Sequence, residues 1–317
     1  MLTPDEVERG ASRPPPSGSD NEVAVRQLGQ GELIWFRFRK HKLAMIGSII
    51  LALLVIMAVF APIISPEVYL HWNYLDGNVA PRFAWPGTAG WKYLLGTDGT
   101  GHSLVMWIAY GARVSLAVGI FAALLTTIVG IVLGGMAGFF GGWTDTIIMR
   151  STDIVLTLPF LPLVILLSYY VSGGSWVLII LIFAAFGWPS IARLVRSYAL
   201  TLRRQEFSEA ARAVGVSNHR IIFRYILPNA MSPIIVAATL SVADYIISEA
   251  AIDFLGVGVQ PPTVSWGLAL SNAQDSFLVG NWWWAFFPGM FILITVLAVN
   301  FLGDGLRDAL DIRSHGL

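Results

Sequence analysis

Arg150, Asp153, Asp244, Glu249 and Asp253 are ionisable residues set inside or beside long apolar stretches. A charge at bilayer depth is costly and ordinarily faces a protein interior or a wet path. Arg150 and Asp153 are three apart, a spacing at which helical neighbours pair. Glu249 and Asp253 are four apart and share a helix face, with Asp244 roughly 140° round from Glu249 at ~100° per residue. An acidic strip of this kind along a path would receive a cationic ligand, and Asp253 is the member expected at the outer mouth. The same carboxylates could instead lie near helix ends or pair with another subunit. Used as a proton or sodium relay, Asp153, Asp244 and Glu249 would make the chain a secondary transporter.

A second group of residues suggests docking, not catalysis. Glu209-Ala210-Ala211-Arg212-Ala213-Val214-Gly215, continued through Arg220 and Arg224 to Leu227-Pro228, is a polar, arginine-bearing island between apolar runs. Residues 209 to 213 are good helix formers, and Gly215 can take the positive φ that ends a helix and turns the chain. Ser217 or Asn218 can cap a second helix, expected to end before Pro228. The result is a short helix-turn-helix elbow. An interfacial helix pair whose arginines meet anionic head groups would have a similar composition.

Other chemistries find no support. Lys40, Lys42 and Lys92 follow no Gly-x-x-x-x-Gly and precede no Ser or Thr, so a phosphate-cradling loop is missing and any ATP must be bound by another chain. His41, His71, His102, His219 and His315 are scattered, and there is no cysteine, which excludes disulfides and thiolate metal sites. No Gly-x-Ser-x-Gly elbow or pair of catalytic carboxylates stands out.

These groups must be positioned by membrane helices. The chain is 56% hydrophobic and 13% charged with a positive mean hydropathy, which no ordinary water-soluble globule has. Apolar runs of about 20 residues or more, enough to cross ~30 Å of hydrocarbon, begin near Leu43, Val114, Ile147, Trp176, Met231 and Trp284. They predict six transmembrane helices in an all-α polytopic membrane protein. The glycine-rich run from Gly130 to Gly142 could end the second helix early, and Pro159, Pro162 and Pro189 interrupt the third and fourth as flex points or static kinks. Sixteen of the twenty Lys and Arg residues fall on one side of a six-helix arrangement, which puts both termini and the island in the cytoplasm. Residues 1–30 read as a flexible cytoplasmic tail, 31–104 as an uncleaved anchor helix with an outer loop, and 105–317 as a core carrying the island within 198–230. The outer aromatics Trp72, Tyr74, Phe83, Trp85, Trp91 and Tyr93 suit either a partner protein or the membrane interface; Trp282 to Trp284 read as an interfacial anchor.

The island resembles the cytoplasmic signature of permease subunits of binding-protein-dependent ABC importers, in which Glu-Ala-Ala, three residues and Gly are followed by a segment ending in Leu-Pro. Leu95-Gly96-Thr97-Asp98 with Tyr110-Gly111-Ala112-Arg113-Val114-Ser115-Leu116, Phe254 to Pro262 with Ser265-Trp266-Gly267, Phe287-Pro288-Gly289, and Asn300 to Asp308 are similar to the second, C-type permease of dipeptide and oligopeptide importers. The chain departs from that pattern at Gly101-His102-Ser103, where Gly-Arg-Asp is typical, at Asp253, where Ser is usual, and at Tyr225, where Ile is.

The resemblance implies a type I ABC importer permease (MetI-like) core behind an N-terminal anchor helix. It implies two ATPase subunits that hold ATP and Mg, a second homologous permease subunit, an extracytoplasmic substrate-binding protein, and a place in the inner membrane bilayer, with no cofactor in this chain and no nucleic acid. Coupling then falls to Glu209, Ala210, Ala211, Gly215, Leu227 and Pro228, and the substrate is a short peptide, a nickel complex, glutathione or a sugar. An ion-coupled transporter and a purely structural membrane subunit are the competing readings.

Overall fold

The computed structural model describes residues 30–64, 82–88, 93–99, 101–277 and 280–310, which form helices and connecting turns. Residues 1–29 of the expected 1–30 tail and the aromatics Trp72, Tyr74 and Trp91 lie outside them, while Gln30 begins a helix. In chain order the helices are α1 (Gln30–Lys40), α2 (Lys42–Ile64), α3 (Leu104–Phe140), α4 (Gly142–Thr157), α5 (Phe160–Leu167), α6 (Trp176–Leu202), α7 (Glu206–Ala213), α8 (Asn218–Ile221), α9 (Leu227–Phe254), α10 (Trp266–Phe277) and α11 (Trp282–Leu310). Among the described residues there is no strand, only an isolated bridge between Thr97 and Ser103.

Among the described residues, five continuous helices are long and apolar enough to cross a membrane: α2, α3, α6, α8 running into α9, and α11. The sixth expected span is α4 with α5, bent by 82° at Leu158-Pro159. Proline has no N–H to donate and disfavours helical geometry in the residue before it, and Leu158 is extended at φ −80°, ψ 130°. Pro189 behaves differently: it is buried inside the unbroken α6.

The glycine run does not end its helix early. α3 continues for 37 residues to Phe140 and stops at Gly141, whose φ is +67°. At 1.5 Å per residue α3 is ~55 Å long, well beyond the ~30 Å of hydrocarbon that a span needs to cross. Gly130, Gly134 and Gly138, four apart on one face, let α3 and α6 meet backbone to backbone. A Cβ on Gly130 would lie 2.6 Å from Ile191 Cβ, and one on Gly138 would lie 2.6 Å from Ala199 Cβ. Small residues at this spacing replace the hydrophobic drive that lipid cannot supply between helices.

The central core joins α3, α6 and α9 through Val118, Ala122, Ile179, Phe183, Tyr245 and Ile252. α11 packs along α2 and α9. At the end of the bundle where α3 begins, Trp283 and Trp284 are buried against Leu104, Met106 and Trp107, whereas Trp282 remains 41% exposed, so only one member of the tryptophan cluster is free to act as the expected interfacial anchor. The loop ahead of α3 closes this end: Phe83 and Trp85 lie on Trp284 and Trp283, and Asp98 accepts hydrogen bonds from the His102 N–H (2.9 Å) and Trp107 Nε1 (2.9 Å). His102 also stands 3.4 Å from Asp98 through Nδ1.

Candidate functional site

The elbow forms from its own sequence. α7 ends as anticipated at Gly215, with φ +78°: the Val216 N–H donates to Ala211 O at 3.0 Å and the Gly215 N–H to Arg212 O at 3.0 Å. This crossed pair, completed by the packing of Val216 against the cluster that holds Ala211, is a Schellman cap. Ser217 is extended and starts α8.

The second helix does not stop before Pro228, contrary to expectation. It passes through a π turn, Ile222–Ile226, in which the Leu227 N–H reaches back to Ile222 O, and continues as α9. A proline lacks a donor and crowds the carbonyl four residues earlier; the widened turn accommodates both effects, and Asn229 Nδ2 donates to Tyr225 O at 2.6 Å.

One side of the elbow is seated on the C-terminal end of α3. Ala211, Ile221 and Ile226 pack with Phe139 and Ala199. Arg203 donates to Gly138 O (3.2 Å) and Phe139 O (2.9 Å), satisfying carbonyls at the end of α3 that have no helical partner. The Arg212 guanidinium lies 5.3 Å from the Phe139 ring centre. The other side is open. Glu209, Ala210, Ala213 and Gly215 are exposed, Val214 is 79% exposed and Phe223 53%. A recess of about 400 Å³ lined by Phe139, Phe140, Arg203, Arg204, Glu209, Arg212 and Asn218 adjoins this surface. Of the six coupling residues singled out in the sequence, Glu209, Ala210, Gly215 and Pro228 are surface-facing, while Ala211 is buried and Leu227 half-buried beneath them.

The intramembrane ionisable residues do not gather into one strip. Asp153 pairs with Arg193 at 2.6 Å, and Arg150 is exposed on α4, so the expected Arg150–Asp153 pair is replaced by a bond to α6. A second bond between the same helices, in which Arg196 grips both oxygens of Asp145, was missed; its partners are 51 positions apart, and the one sequence hint is that Arg193 and Arg196 lie three apart on one face of α6.

Asp244 is exposed on α9. Glu249 and Asp253 do come together, fully buried, so Asp253 does not open onto an outer mouth. Asp253 accepts the Val259 N–H at 2.7 Å and the Ser265 hydroxyl, while Glu249 accepts the Ser115 hydroxyl at 3.2 Å. Ser115 in turn accepts the Trp266 N–H at 3.3 Å, and Trp266 Nε1 donates to Ile108 O at 3.0 Å. The cluster clasps α9, α3 and the start of α10. Among the described residues no three His, Asp or Glu side chains are grouped to hold a metal ion.

Comparison with known proteins agrees with this architecture. The family described as binding-protein-dependent transport system inner membrane component matches residues 130–315, and the N-terminal TM domain of oligopeptide transport permease C matches residues 29–81. The chain is 40% identical over 277 residues to the dipeptide transport system permease protein DppC of Bacillus subtilis, covering 87% of this chain and 84% of the relative. It is 38% identical over 295 residues to the oligopeptide transport system permease protein OppC of Bacillus subtilis, covering 93% of each. It is 39% identical over 277 residues to the di/tripeptide transport system permease protein DppC of Pseudomonas aeruginosa, covering 87% of this chain and 90% of the relative. With its spanning helices and a match over more than half its length, this multi-pass membrane chain belongs to the family of inner membrane components of binding-protein-dependent transport systems.

Proposed function

We propose that the chain forms one half of the transmembrane pathway of an ATP-driven importer of di- or oligopeptides, with the elbow seated on a partner ATPase. Two ATPase subunits supply ATP and Mg, a second homologous permease completes the pathway, and an extracytoplasmic binding protein delivers the peptide. Both termini and the elbow are cytoplasmic, in the inner membrane. The observation that carries this reading is the exposed side of α7 and its Schellman turn, held on its other side to the C-terminal end of α3.

The geometry supports a direct route for force. ATPase closure displaces α7; Arg203 and the Phe139–Ala211–Ile226 cluster pass the displacement to α3 and α6, whose glycine stripe lets them move as one body. The elbow also continues into α9, which runs ~42 Å over its 28 residues to the Glu249–Asp253 clasp, so the outer turn and α10 follow. The α4–α5 bend, with no continuous helix across it, is the flex point of this rocking motion. Asp244, exposed on α9, is assigned to the peptide path; Glu249 and Asp253 brace the helix behind it.

The test is uptake of a labelled dipeptide by proteoliposomes containing the assembled complex. ATP-dependent accumulation that disappears with Glu209→Arg, while the subunit still inserts, supports the proposal. Uptake driven by an ion gradient without ATP would overturn it.

A further inference from the structure

We propose that α1 is a membrane-surface helix that binds anionic lipid head groups. Its inner side is already occupied: Ile34 and Phe38 pack with Ala44 and with Leu302, Leu306 and Ala309 of α11. Its outer side carries Trp35 (57% exposed) and Phe36 (51% exposed) together with exposed Arg39 and Lys40. At ~100° per residue these four fall within an arc of about 140°. The Lys40 ammonium sits 4.2 Å from the Phe36 ring centre, so aromatic and cationic groups form one surface.

Neither bulk phase suits this arc. Water leaves two large aromatic rings uncovered, and hydrocarbon penalises the cations, whereas the head-group layer satisfies both. The position of α1 puts it there. Only His41 separates α1 from α2, an apolar spanning helix; His41 Nδ1 accepts the Ala44 N–H at 3.1 Å to cap that span, and Nε2 lies 3.5 Å from Asp308 at the end of α11. Charge selects the lipid: between residues 30 and 42, Arg37, Arg39, Lys40 and Lys42 stand against the single carboxylate Glu32. Anionic lipid bound here would hold the adjoining end of α11 in place through Phe38.

The chain has no cysteine, so Trp35→Cys gives this subunit a single thiol for a fluorescent label, with the wild-type complex treated alike to supply the background from other chains. The assembled transporter is placed in nanodiscs of phosphatidylcholine with increasing phosphatidylglycerol, and a quencher is attached to the head group of one lipid or the other. The quencher on phosphatidylglycerol should dim the label more strongly than the same quencher on phosphatidylcholine. Arg39→Gln and Lys40→Gln should each weaken that preference about five-fold. Equal quenching by both lipids, unchanged in the double variant, overturns the proposal. So does absence of quenching accompanied by a photo-cross-link from position 35 to another protein chain, which would show that protein covers the arc. The result does not depend on ATPase binding, so this inference and the proposed function fail separately.

Discussion

Replacement of Gly215 tests whether the shape of the elbow transmits force. A Cβ built at this residue meets nothing within 4 Å, so a substitution adds no clash and acts through the backbone at φ +78° and through any partner surface against it. An L-residue held in that left-handed region costs about 1–2 kcal/mol, and Asn, which tolerates it, costs less. Gly215→Ala should therefore raise the opened population of the turn roughly five- to thirty-fold. Gly215→Pro is worse: its φ is locked near −65°, and it removes the N–H that donates to Arg212 O, for about 3 kcal/mol or more. The assay is ATP-dependent uptake of labelled dipeptide in proteoliposomes, with membrane insertion and the ATPase rate of the complex measured in parallel. Expected is a graded loss of uptake, Asn less than Ala less than Pro, with insertion unchanged and hydrolysis in the proline variant uncoupled from transport. Uptake by Gly215→Pro at the wild-type rate would refute the reasoning.

Other outcomes follow from the packing. Gly134→Ala places a Cβ against the backbone of Ala192 and should destabilise the complex by about 1–3 kcal/mol, whereas Gly135→Ala, with nothing within 4 Å, should be neutral or slightly stabilising; thermal unfolding in detergent compares them. Asp253→Ala strands the buried Val259 N–H and Ser265 hydroxyl and should cost about 1–3 kcal/mol for each unpaired group, with Asp253→Asn milder because its carbonyl still accepts; the same unfolding measurement checks the order. Asp244→Asn, at an exposed position, should lower peptide uptake while leaving assembly and the unfolding midpoint within about 0.5 kcal/mol of wild type; unchanged uptake would remove Asp244 from the path.

Local signals read well from the sequence and long-range ones did not. Gly215 was legible because helix formers run up to a residue free to take positive φ, and the cap depends only on neighbours. The spanning helices were legible from length and hydropathy, and the α4–α5 break from Pro159. Gly130, Gly134 and Gly138 were visible as glycines, but whether they break a helix or admit another depends on Ile191, Ala192 and Ala199, some 60 residues away. Asp153 likewise had a near neighbour of opposite charge in Arg150, yet α6 brings Arg193 closer. The carboxylates of α9 divide for the same reason: spacing puts Glu249 and Asp253 on one face, but only the packing of α3 and the turn carrying Val259 and Ser265 shows that this face is inward. Pro228 misled because a π turn lets a helix pass a proline that the residue pattern reads as a stop.

The central claim, that the exposed elbow seats an ATPase, is tested most directly by purifying the tagged chain from detergent-solubilised native membranes and identifying its companions by mass spectrometry, wild type beside Glu209→Arg. The account predicts an ATPase, a second permease and this chain in the wild-type sample, with the ATPase lost and the second permease retained in the variant. An ATPase absent from the wild type under conditions that preserve other membrane complexes, or recovered equally with both forms, would contradict it.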